Sequence, residues 1–90
     1  MAPKGIYQIL GKKVVGVVVK KAKSPETHPK EQIFLIFDDY TYYELYSPDF
    51  GFTGGVYTGG RSSVLEYVSA TYDVIYQGYL DDKGKLVEKY

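Results

Sequence analysis

Gly59-Gly60-Arg61-Ser62-Ser63 is the segment of this chain best equipped to hold an anion. It closes a stretch, residues 51–63, that carries five of the ten glycines, in two Thr-Gly-Gly triplets separated by Val56-Tyr57. Backbone N–H groups entering a helix, two serine hydroxyls, the Arg61 guanidinium and the helix dipole together describe a phosphate or carboxylate site. The spacing matches neither the nucleoside-triphosphate loop nor the dinucleotide fingerprint, and no lysine follows the glycines. A plain strand-to-helix connection, with Ser63 capping the helix, explains the same residues. Both readings stand.

A second group is aromatic. In an extended chain Tyr40, Tyr42, Glu44 and Tyr46 share one face, opposite Tyr43 and Leu45. If Tyr43 and Leu45 enter the core, the others form an exposed, acidic tyrosine stripe that Phe50, Phe52 and Tyr57 extend. Tyrosine is favoured at recognition surfaces because it brings area at low rotamer cost. Roofing a thin core is the competing explanation for the same rings.

Other chemistry is thinly supplied. Stacking tyrosines with Lys12, Lys13, Lys20, Lys21 and Lys23 would suit single-stranded nucleic acid, but Asp38, Asp39, Glu44 and Asp49 on the aromatic strand and its flanks would repel phosphate. The single histidine, His28, sits between Thr27 and Pro29, and no cysteine is present to act as a nucleophile. The pairs Asp38-Asp39 and Asp81-Asp82 fall at turns, where aspartate bonds the local backbone. Neighbours in a strand point to opposite faces, so such pairs seldom converge on a metal. No catalytic residue, metal site or cofactor is assigned.

The elements that position these groups must fit 90 residues, which is one domain spanning 1–90. Eleven of the fifteen aromatic residues are tyrosine, and there is no tryptophan. Without cysteine, a signal peptide or an apolar run of membrane-spanning length, the expected compartment is the cytoplasm. Net charge is zero but unevenly spread. Residues 1–30 hold seven lysines against Glu26, and residues 31–90 hold four basic residues against ten acidic ones. Basic strands paired beside acidic ones in one sheet would cancel this locally.

Ile6–Leu10, Lys13–Ala22, Ile33–Phe37 and Tyr42–Tyr46 read as strands, followed by a helix over about Ser62–Tyr72 with a Ser63–Glu66 capping box. Val74–Leu80 and Leu86–Tyr90 then form a hairpin in which Gly84 supplies a positive φ. Lys23–Lys30 reads as an exposed loop, and Gly16 suits a bulge or a close neighbour. The order β-β-β-β-α-β-β predicts an α+β domain, a single antiparallel sheet of five to six strands carrying one helix.

Val14–Val19 and Ile33–Phe37 are apolar on both faces, whereas one helix covers one face. The uncovered face implies either a sheet curled into a partial barrel or a second subunit, and the small size of the chain favours a homodimer. These observations predict a small non-enzymatic module of accessory, regulatory or inhibitor type, contacting another protein through its aromatic, acidic β-surface. A binder of phosphate-bearing small ligands at the glycine loop is the alternative, and a single-strand nucleic-acid binder the third. No membrane partner is expected.

Overall fold

Strand-forming residues dominate the computed structural model, which describes residues 6–46 and 53–89. Six strands, β1 (Val14–Ala22), β2 (Glu31–Phe37), β3 (Thr41–Tyr46), β4 (Thr53–Thr58), β5 (Tyr72–Leu80) and β6 (Leu86–Lys89), form one antiparallel sheet. Its spatial order is β4-β3-β2-β1-β5-β6, and α1 (Arg61–Glu66) lies between β4 and β5 in sequence. The sheet is open, with β4 and β6 at its edges. The predicted α+β order is therefore the observed one, although two segments trade roles within it.

The first trade is at the N-terminus, where Ile6–Ile9 is a 3₁₀ turn rather than a strand. β1 already has β2 on one side and β5 on the other, so no ladder is left beside it for this segment. The turn packs against β4 instead and ends at Gly11, whose φ is +80°. The second trade is in the glycine stretch, where Thr53–Thr58 is a strand and not a loop. It pairs with β3 from Thr41↔Thr58 to Tyr46↔Thr53. Gly54 is required there because a Cβ would lie 1.8 Å from the Glu44 carbonyl oxygen. A close strand approach, not anion binding, explains that glycine.

α1 is shorter than its periodicity predicts. Tyr67 leaves the helix with ψ of 126°, Val68 takes φ of +47°, and Tyr72 is already paired with Ala22 in the sheet. The segment Tyr67–Thr71 is rich in residues of modest helix propensity, and the nine-residue ladder of β5 wins. At the other end Ser63 Oγ accepts from the Gly60 N–H at 3.3 Å, so Ser63 caps from inside the helix without Glu66.

One sheet face carries Gly16, Val18, Lys20, Gln32, Phe34, Ile36, Tyr42 and Glu44, all buried. Val64 of α1 closes over Val18, Phe34, Ile36 and Tyr42 to make the core. A register shift between Val14 and Gly16 turns Val15 toward that core, and the Ile36 side chain sits over Gly16. The opposite face carries Val17, Val19, Ile33, Leu35, Leu45 and Val56, none fully buried. Phe37 and Tyr43, also on that side, are buried, with the Lys12 ammonium 5.5 Å above the Phe37 ring. The molecule is flat, 41 × 29 × 17 Å.

Candidate functional site

Alternation within β1, β2 and β3 puts three polar residues beneath the end of α1. Lys20 pairs with Gln32 across β1 and β2, and Gln32 Nε2 donates to Glu44 Oε1 at 3.1 Å. All three are buried. The Lys20 ammonium donates to the Tyr67 carbonyl and lies 5.3 Å from the Phe34 ring centroid and 5.7 Å from that of Tyr67. Stacking of a cation on aromatic faces offsets part of its desolvation.

Gln32 and Glu44 open into a cleft of about 400 Å³, walled by Tyr46, Tyr57, Tyr67 and Tyr72. Its rim is the Thr27-His28-Pro29 turn on one side and Val68 with Thr71 on the other. Backbone bonds from Ala22 N to Lys30 O (2.7 Å) and Lys23 N to Thr71 O (3.0 Å) fix that rim, and Tyr72 Oη donates to the Pro29 carbonyl at 2.5 Å. The rings interlock: Phe34 meets Tyr42 and Tyr67 at 6.1 Å each, and Tyr42 meets Tyr57 at 5.7 Å. Gln32 Oε1 is buried and has no hydrogen-bond partner.

Electrostatics follow the burial. Desolvation pushes the Glu44 carboxyl above its ordinary value, and the Lys20 charge pulls it partly back. Lys20 is pushed down by burial and lifted by Glu44. Burial first, then the Glu44 charge, raises Tyr42, Tyr57, Tyr67 and Tyr72, so these phenols remain protonated donors at neutral pH. The cleft is thus an aromatic-walled pocket with acceptors at its floor. No family model, curated protein or solved structure matches the chain.

The aromatic stripe expected from sequence is divided by the fold. Tyr40, Tyr42, Glu44 and Tyr46 belong to one strand and its leading turn, but Tyr42 and Glu44 are buried, at 8% and 5% exposure, because α1 and the 67–72 segment lie over their face. Tyr43 is buried as well, and Leu45, expected in the core, is only half-buried on the open side. Tyr46 and Tyr57 line the cleft, whereas Tyr40 stands 64% exposed at a separate turn with φ of +61°. Phe50 and Phe52 lie outside the described residues.

The glycine loop is geometrically engaged. The Gly59 N–H donates to the Tyr40 carbonyl at 2.9 Å, the Gly60 N–H donates to Ser63 Oγ, and the Arg61 guanidinium stacks 3.7 Å from the Tyr79 ring centroid. Ser62 is exposed. Of the basic set, Lys20 is buried, Lys12 pairs with Asp39, and Lys23 lies 3.7 Å from Asp73. Among the described residues no group of three or more His, Cys, Asp or Glu side chains could hold a metal, and no helix is long and apolar enough to cross a membrane.

Gln32, Tyr67 and Tyr72 escaped the sequence reading of the site, and Lys20 entered it only as one of an exposed basic set. Parity supplied a signal for two of them. Lys20 continues the face of Gly16 and Val18, and Gln32 that of Phe34 and Ile36, so each is a polar residue on a core-facing register.

Proposed function

We propose that the protein is a small, non-catalytic, cytoplasmic binding module, of accessory, regulatory or inhibitor type. It recognises a segment of another protein in the tyrosine-walled cleft. The observation that carries the reading is Gln32 Oε1, a buried carbonyl without a donor on a residue that lines the cleft. An unmet buried acceptor costs about 1–3 kcal/mol, so a partner that supplies a donor recovers stability on binding. Tyr46, Tyr57 and Tyr67, each partly exposed, add the amphipathic ring area typical of recognition sites. Phosphate binding at the glycine loop is less well supported, because the Gly59 and Gly60 N–H groups already have intramolecular acceptors.

Selection of peptides from a random display library, followed by NMR footprinting of the winners, tests this. Shifts confined to Gln32, Glu44 and the cleft tyrosines support the reading. Footprints only elsewhere, or no binders, overturn it.

The open face has a different proposed occupant, a second copy of this chain. Val17, Val19, Leu35 and Leu45 offer aliphatic contact on the open face of a molecule whose two longer dimensions are 41 and 29 Å, broad enough to seat a stable interface of roughly 800 Å² per partner. At one end Glu31, Lys21 and Asp73 form a row of alternating sign across β2, β1 and β5. A two-fold axis passing between Lys21 and Asp73 would set each lysine opposite the aspartate of the other copy.

A further inference from the structure

We infer that the group the cleft recognises is the guanidinium of an arginine side chain on the partner protein. The inference rests on the recognition reading above and specifies its chemistry. Glu44 and Gln32 present acceptors side by side, joined by the 3.1 Å bond from Gln32 Nε2 to Glu44 Oε1. Gln32 Oε1 lacks a donor, and Glu44 is the only carboxylate lining this cleft among the described residues. A guanidinium carries its donors in a rigid planar fork, which can serve a carboxylate and a neighbouring carbonyl together. Its flat faces stack on tyrosine rings, of which the cleft supplies Tyr46, Tyr57, Tyr67 and Tyr72.

The molecule contains its own precedents for such packing. The Arg61 guanidinium lies 3.7 Å from the Tyr79 ring centroid, and the Lys20 ammonium rests over Phe34 and Tyr67. Lys20 also decides which cation fits. Its charge partly offsets that of Glu44, so a compact, strongly hydrated ammonium gains little from the site. A guanidinium gains through directed hydrogen bonds and stacking, neither of which Lys20 cancels.

The test titrates acetyl-Gly-Arg-Gly-amide into the isotope-labelled full chain and compares the same peptide carrying citrulline or lysine in place of arginine. The arginine peptide should shift the Gln32 side-chain amide and the Tyr57 and Tyr67 ring signals saturably, with half-saturation near ~1 mM for so small a ligand. Citrulline keeps the shape but loses the charge and exchanges one NH2 group, with its two N–H donors, for a carbonyl oxygen, and should bind about tenfold or more weakly. The lysine peptide should bind several-fold more weakly than arginine, and Glu44→Gln should lose the arginine preference. The citrulline comparison uses the unaltered protein, so it decides even if Glu44→Gln misfolds.

Absence of saturable cleft shifts with the arginine peptide, or equal binding of the citrulline peptide, overturns the inference. If display-selected peptides without arginine occupy the cleft, arginine specificity falls and the recognition reading survives. If no selected peptide enters the cleft, the recognition reading falls too.

Discussion

Phe34 and Leu35 are neighbours in β2 and meet opposite surroundings. Phe34 is wholly buried beneath α1 among Val18, Tyr42 and Tyr67, while Leu35 looks out from the open face beside Val17 and Tyr43. The two faces also differ in kind. The covered face mixes aromatic rings with Lys20, Gln32 and Glu44, and the open one is mostly aliphatic, with Phe37 and Tyr43 set among its Val, Ile and Leu side chains. A helix of six residues roofs the centre of one face and leaves its end to the cleft, so polar groups there are enclosed without all being satisfied. Specific recognition needs such directional groups. A mostly aliphatic face offers area with little direction, which suits a symmetric contact with itself.

The largest expected effect separates these two residues. Phe34→Ala should destabilise the fold by roughly 3–5 kcal/mol, as large aromatic truncations in packed cores do. Leu35→Ala should cost well under half of that in dilute solution, because its site is only partly enclosed. Denaturant melts of both variants check this. Equal losses would mean that the open face is as well covered as the other and would remove the contrast.

Concentration sharpens it further. If the open face pairs two copies, light scattering at micromolar concentration should give about twice the chain mass of 10.2 kDa. Leu35→Lys should then return a folded monomer, and the melting temperature of the unaltered protein should rise with concentration. A monomer that melts at one temperature throughout would overturn the dimer.

Acid titration examines the covered face alone. Folding raises the Glu44 pKa above its ordinary 4.5, so the folded state holds that proton more tightly than the unfolded chain. The contribution is fully present below pH 4.5 and is lost as pH rises through the folded value. Glu44→Gln cannot ionise, so its stability relative to the parent should increase with pH across that window. Asp39 has the opposite tendency, held down by Lys12, but it is common to both proteins and cancels in the difference. A flat difference profile would show that Glu44 is not desolvated.

Much of this architecture was legible in the residues, and the errors share a cause. Val14–Ala22, Ile33–Phe37 and the Asp81–Lys85 hairpin with Gly84 at φ of +79° follow from local propensity and turn chemistry. The Ile6–Ile9 turn and the Thr53–Thr58 strand do not, because each depends on which sheet edge remains free. That is a property of the assembled order β4-β3-β2-β1-β5-β6. The tyrosine stripe was located on the right strand and the right parity. Its burial was missed because nothing local to Tyr42 and Glu44 announces that the 67–72 segment will cross above them. Parity marked Gln32 as a polar residue facing the core, and its partner on β3 made it a site residue.

The smallest effect concerns the rim of the cleft. Val68 holds φ of +47°, a region that β-branched residues rarely occupy, at the point where the chain leaves α1 and turns into β5. Such a conformation costs on the order of 1–3 kcal/mol and persists where the surroundings enforce it. Here the enforcing contacts are the Lys20 bond to the Tyr67 carbonyl on one side and the bond from Tyr72 N to the Val68 carbonyl, 3.0 Å, on the other. Val68→Gly removes the strain but adds unfolded-state freedom and loses a half-buried side chain. These opposing terms nearly offset, so the net should be a gain of no more than about 1 kcal/mol. A thermal melt reads the gain, and peptide titration reads whether the strained turn also shapes the cleft. A more stable variant with unchanged peptide affinity would assign the strain to chain geometry alone. A more stable variant with weakened affinity would assign it to recognition, and would set the polar, strained face still further apart from the relaxed aliphatic one.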